Sequence, residues 1–232
     1  MTVNSPIIVA LDYPDLSPAL AMADQLDPNQ CRVKVGKELF TRAGPQAIEQ
    51  LTRMGFEIFL DLKFHDIPNT VAKACRAAAD WGVWMLTLHS LGGPAMLEAA
   101  RKALPNDPKR PLLVAVTLLT SMDTDTLLSL GITTPLTEQV LRLAHLAQQA
   151  NLDGVVCSAQ EAPQLRQQMP TPFKLVTPGI RLEPTPNDDQ KRTCTPSQAL
   201  AQGSDFLVIG RPITQSRHPL NSLETLTASL RP

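Results

Sequence analysis

Short apolar runs alternate along this chain with longer stretches in which apolar residues recur every three or four positions. Eight runs read as strands, at 7–12, 32–36, 57–63, 84–89, 111–117, 154–158, 173–179 and 206–210. Most are almost continuously hydrophobic, as in Ile7-Ile8-Val9-Ala10-Leu11, the pattern of strands covered on both faces. Helical periodicity falls between and after them, at 17–26, 45–54, 69–81, 94–104, 135–150, 160–169, 196–202 and 219–230,. Several of these stretches open with a proline, which the first helical turn tolerates because its missing N–H has no partner there anyway. Eight strand–helix units in 232 residues predict an α/β fold, a single-domain (β/α)8 TIM barrel spanning 1–232,. The rival is a doubly wound open sheet, which usually has fewer strands and a glycine-rich first turn. The first turn here is Leu11-Asp12-Tyr13-Pro14-Asp15, without glycine. No linker, low-complexity run or further repeat interrupts the alternation.

A barrel of this kind carries its chemistry at the C-terminal ends of its strands, and that is where the polar residues gather. Asp12 ends the first strand and Lys34 lies near the end of the second. Asp61 and Lys63 end the third, His89 the fourth, and the fifth runs into Thr117 and Thr120. The seventh ends in Pro178-Gly179-Ile180-Arg181 and the eighth in Gly210-Arg211. Strand alternation predicts that Asp61 and Lys63, two apart, project to the same face, while Asp66 falls past the strand, where Pro68 opens a new element. Lys34, Asp61, Lys63 and Asp66 form a set of alternating sign in which each ammonium stabilises its neighbouring carboxylates. A lysine flanked by two carboxylates is expected to keep a raised pKa. It then suits proton donation better than Schiff-base chemistry, which needs a lowered one. The competing reading is a structural ion-pair network.

Arg181 and Arg211, each beside a glycine after adjacent strands, are the residue types of a barrel phosphate site, since glycine lets backbone N–H groups approach an anion and arginine adds a bidentate donor. Ordinary loop turns with surface arginines are the alternative. The polar segment 181–192, with two prolines, reads either as a closing loop through which Gln190 reaches a ligand or as a disordered connector,. His65 and His89 read as hydrogen-bonded structural residues. A net charge of −1, with 43% hydrophobic and 19% charged residues, gives no electrostatic reason for a nucleic-acid or anionic-membrane partner,. Cys31, Cys75, Cys157 and Cys194 are scattered, and no secretory signal or membrane-length apolar run is present,. These features point to a reducing, cytoplasmic setting with cysteines as core residues and no metal site.

Asp61-Leu62-Lys63-Phe64-His65-Asp66-Ile67-Pro68-Asn69-Thr70 resembles the D-x-K-x-x-D-I-x-x-T signature of the orotidine 5′-phosphate decarboxylase family at every fixed position. The likeness extends to Val9-Ala10-Leu11-Asp12, Lys34-Val35-Gly36-Lys37, Leu118-Leu119-Thr120-Ser121-Met122, Val176 to Arg181 and Val208 to Thr214. The resemblance implies decarboxylation of orotidine 5′-phosphate to UMP without a cofactor, the last step of de novo pyrimidine synthesis. It implies Lys63 as proton donor to C6, Asp61 beside the substrate carboxylate, and Lys34 and Asp12 on the ribose hydroxyls, with Lys34 also holding the charge array. Thr120 would contact the pyrimidine, and Arg181, Gln190, Gly210 and Arg211 the phosphate. Asp66, Ile67 and Thr70 would also bind substrate, with Asp66 and Thr70 reaching the other subunit's site in an obligate homodimer. A magnesium-dependent sugar-phosphate lyase or decarboxylase of the same superfamily shares D-x-K-x-x-D, but needs an acidic ligand near strand two, where Lys34 stands. A catalytically dead phosphate-binding barrel would show a broken charge array, and none is broken here.

Overall fold

A computed structural model of the chain describes residues 3–181 and 193–230. Among them eight strands close into a parallel barrel: β1 (Ile7–Ala10), β2 (Arg32–Gly36), β3 (Ile58–Phe64), β4 (Met85–His89), β5 (Leu112–Val116), β6 (Gly154–Val156), β7 (Lys174–Thr177) and β8 (Phe206–Ile209). Each strand pairs with the next in sequence, and β8 returns to β1 through Ile8↔Val208 and Val9↔Ile209. Helices follow the strands on the outside. No helix among the described residues is long and apolar enough to cross a membrane.

Alternation along each strand divides the apolar residues between two layers. Ile8, Ala10, Phe59, Met85, Val114, Val116, Val156, Val176 and Val208 pack together inside the barrel. Their neighbours Ile7, Val9, Leu11, Val33, Val35, Leu60, Leu86 and Leu88 face the helices, where they meet stripes such as Val71, Cys75 and Ala78 of the helix Pro68–Asp80. Both faces are thus dry, which is why the strands read as unbroken hydrophobic runs. The N-terminal end of the barrel is closed by Arg32. Its guanidinium lies 4.1 Å from the Trp84 ring centroid, pairs with Glu57 at 2.7 Å, and donates to the carbonyls of Ser5 and Val3. A buried arginine is tolerated here because ring, carboxylate and carbonyls together replace its hydration.

The strands are mostly shorter than their apolar runs. β1 stops at Ala10, not Asp12, and β7 at Thr177, not Gly179, because the terminal polar and glycine residues leave the ladder to form the mouth. Three short helices, Lys37–Ala43, Thr124–Ser129 and Arg211–Thr214, lie outside the stretches with sequence periodicity and are found only in three dimensions. Thr124–Ser129 is capped by Asp123, whose side chain accepts from the Thr126 N–H, and Arg211–Thr214 follows β8 directly. Between β2 and β3 the chain makes two helices, Lys37–Ala43 and Pro45–Arg53, separated at Gly44, whose φ of 56° suits glycine,.

Candidate active site

At the C-terminal end of the barrel a cavity of about 630 Å³ is lined by Asp12, Lys34, Asp61, Lys63, Thr120, Arg181, Gly210 and Arg211. Eight of the twelve sequence-predicted site residues therefore converge, from strand ends or the loops that follow them. Asp66, Ile67 and Thr70 do not line it. They sit at the start of the helix Pro68–Asp80, all exposed, with Ile67 at 68%. Gln190 lies outside the described residues. A hollow of about 680 Å³ at the opposite end of the barrel is lined by Asn4, Asn29, Gln30 and Glu224 among others, with no lysine or arginine among the described residues.

The charges form a chain. The Lys34 ammonium is 2.9 Å from Asp12 Oδ1 and 3.7 Å from Asp61 Oδ2, and the Lys63 ammonium is 2.8 Å from both Asp61 oxygens. The lysine flanked by two carboxylates is thus Lys34, while Lys63 shares one carboxylate with it. Burial pushes the Lys34 pKa down, but the pull of Asp61 and Asp12 outweighs it and holds the ammonium above the ordinary lysine value. Burial likewise pushes Asp61 up, yet Lys34 and Lys63, with hydrogen bonds from Lys63 and Thr87, hold it below the ordinary carboxylate value. Lys34 and Asp61 are therefore both held in their charged forms at neutral pH,. Gly36 makes room for it, since a Cβ there would stand 3.1 Å from Lys34 Nζ.

The backbone that presents Asp61 and Lys63 departs from simple alternation. Leu60 pairs with Leu86 and Phe64 with Leu88, so four steps on β3 face two on β4. This bulge holds Lys63 at φ 51°, in the left-handed region that costs a side-chain-bearing residue free energy,. The two-residue spacing alone does not make the pair. A local distortion turns Lys63 back over Asp61.

Sequence reasoning missed Thr87, fully buried on β4, whose hydroxyl accepts from the Lys63 N–H at 2.8 Å and donates to Asp61 Oδ1 at 3.0 Å. It was findable: in Met85-Leu86-Thr87-Leu88-His89 it shares the inward parity of Met85. Tyr13 and Thr214, also missed, line the cavity and join through a Tyr13 hydroxyl donated to the Thr214 carbonyl at 3.4 Å.

His89 has the structural role expected of it. Its Nδ1 accepts from the Leu91 N–H at 3.4 Å, and its ring stacks on His65 with centroids 5.4 Å apart. Burial, reinforced by His65 and the ammonium groups of Lys63 and Lys37, pushes its pKa down to about 4. The unfolded chain, with an ordinary histidine, takes up this proton first as pH falls. The contribution of His89 to stability should therefore be lost between about pH 6.5 and 4, by up to roughly 3 kcal/mol, and change no further below,. Asp61 titrates below this window. Thermal unfolding of the parent and of His89→Gln across it should show a smaller fall in the variant, and equal slopes would refute the assignment.

Residues 5–226 match the orotidine 5′-phosphate decarboxylase/HUMPS family. The chain belongs to this family. It is 57% identical over 230 residues to an orotidine 5′-phosphate decarboxylase from Alcanivorax borkumensis, covering 99% of this chain and 100% of that one. A second such decarboxylase, from Chromobacterium violaceum, is 56% identical over 98% of this chain and 92% of its own. The crystal structure of orotidine 5′-phosphate decarboxylase from Lactobacillus acidophilus superposes with a TM-score of 0.88 at 39% identity, covering 98% of this chain and 99% of that one. The family's barrel thus extends over nearly the whole chain.

Proposed function

We infer that the chain is an orotidine 5′-phosphate decarboxylase, releasing carbon dioxide to give UMP at the close of pyrimidine nucleotide biosynthesis. The observation that carries the reading at the level of the site is the ion-paired run Lys34–Asp61–Lys63 in the cavity wall, with Lys34 buried and the other two partly so. Breaking the C6–carboxylate bond leaves the electron pair on a ring carbon with no adjacent carbonyl to accept it. Fixed charge in a site shielded from water is the available stabiliser. Lys63, whose ammonium lies at the cavity, supplies the positive charge and then transfers its proton to C6. Asp61 holds Lys63 in line and lies beside the departing carboxylate. Lys34 and Asp12, already joined at 2.9 Å, meet the ribose hydroxyls.

Arg211 and Gly210, with Arg181 from the neighbouring strand and Gln190, take the phosphate, and Thr120 takes the pyrimidine. Binding at the phosphate end supplies free energy remote from the reacting carbon, which can be used to complete the charge array around it. Asp66, Ile67 and Thr70, exposed and outside their own chain's cavity, serve the site of a second copy in a homodimer.

A magnesium-dependent lyase is disfavoured by charge placement. The Lys34 ammonium stands between Asp12 and Asp61, where a divalent cation would have to share those carboxylates. The deciding experiment follows orotidine 5′-phosphate loss by absorbance with and without chelator. Undiminished turnover with chelator is expected, and activity that depends on added magnesium would overturn the reading. Arg211→Ala should weaken UMP binding by about 1.5–3 kcal/mol, the range for a hydrogen bond to a charged group. Calorimetric titration with UMP checks this, and unchanged affinity would remove Arg211 from the phosphate site.

A further inference from the structure

We propose that Thr87 is a positioning residue for the reaction, holding both the left-handed backbone of Lys63 and the carboxylate of Asp61 through one hydroxyl group; this rests on the decarboxylase reading above. The β3 bulge removes the Lys63 N–H from regular ladder pairing with β4. A buried N–H without a partner is costly, and the side chain of Thr87 supplies the missing acceptor at 2.8 Å. A hydroxyl has one hydrogen and two lone pairs. Because a lone pair receives the Lys63 N–H, the hydrogen is free to point at Asp61 Oδ1, 3.0 Å away. The hydroxyl thereby fixes the polarity of its contact: it requires an acceptor at Asp61, and an ionised carboxylate fills that role in every rotamer.

Three restraints then converge on Asp61. Thr87 Oγ1 holds one of its oxygens, Lys34 lies nearest the other, and Lys63 bridges both. Thr87 is itself immobile. It is fully buried, β-branched and therefore stiff at χ1, and its strand is paired on both sides by β3 and β5,. Lys63 reaches its site on a long flexible stem, and Thr87 is the contact that fixes where that stem begins.

Thr87→Val keeps shape and β-branching but loses both hydrogen bonds, whereas Thr87→Ser keeps the hydroxyl. Measured well below the unfolding temperature, Thr87→Val should lower kcat on the order of 10- to 100-fold, the scale of a misplaced reacting group. The dissociation constant for UMP, which has no carboxylate on C6, should stay within about threefold. Thr87→Ser should recover most of the lost kcat. A packing role alone would lower the unfolding temperature in both variants without separating their kcat values. Thr87→Val turning over within about threefold of the parent, or Thr87→Ser as impaired as Thr87→Val, would overturn the proposal. If Thr87→Val does not fold, Thr87→Ala against Thr87→Ser carries the same contrast, and equal kcat values overturn it. The parent assayed alongside separates this from the functional reading: an inactive parent refutes the decarboxylase assignment itself and the role of Thr87 with it.

Discussion

Lys63→Ala is expected to abolish turnover, with kcat at least about 10,000-fold lower, because one side chain supplies both the stabilising charge and the proton. The loss should be confined to chemistry. Alanine in the left-handed backbone at 63 carries a strain similar to that of lysine, since the cost arises at Cβ and both residues have one,. Asp61 keeps Lys34 at 3.7 Å and the Thr87 hydroxyl at 3.0 Å, so its charge is not left unpaired. UMP affinity should therefore persist while product formation disappears. Lys63→Gly sharpens the test. Glycine enters φ 51° without the steric cost,, so this variant should be as inactive as Lys63→Ala and at least as stable to heat. Stopped-flow absorbance, UMP titration and thermal unfolding on the two variants give the three readings. Residual turnover within tenfold of the parent in either would remove Lys63 from the role of proton donor.

Asp66→Ala should be nearly as inactive on its own, yet recoverable by mixing. Asp66 accepts the Ile67 N–H at 2.6 Å at the mouth of the helix Pro68–Asp80, outside the cavity of its own chain. If it completes a partner's site, a heterodimer of Lys63→Ala and Asp66→Ala subunits contains one site with both residues intact and one with neither. Random exchange of equal amounts makes half of the dimers mixed, so about a quarter of parental activity should return. Neither homodimer should show it. Subunit exchange is confirmed by native mass spectrometry, and mixed dimers without activity would mean that each chain completes its own site.

The barrel was legible because its strands are apolar on both faces and its helices are periodic. Both are local properties that survive in one dimension. The charged mouth was legible for a related reason: in a closed parallel barrel the polar residues at the C-terminal ends of all the apolar runs arrive at the same rim. The bulge at Lys63 was not legible. Nothing in Leu60-Asp61-Leu62-Lys63-Phe64 signals a lysine at positive φ, where glycine or asparagine would be expected. That conformation comes with the register shift against β4 and is met by a hydroxyl two strand positions before His89, tertiary features with no sequence mark at position 63 itself. The three short helices escaped for want of length, since four to seven residues hold little measurable period.

Arg32 and Lys34, at opposite ends of one strand's inward face, pair with Glu57 and Asp61 around the adjacent strand. Together they act as an index for strand alignment. Sliding β2 by one residue against β3 would turn both cations outward into the apolar layer beneath the helices, away from Glu57 and Asp61,. Valine and isoleucine would pack nearly as well in the slipped alignment, so hydrophobicity alone discriminates weakly. One ion pair at the mouth and one at the opposite end together make misaligned barrels expensive while the chain is still folding,.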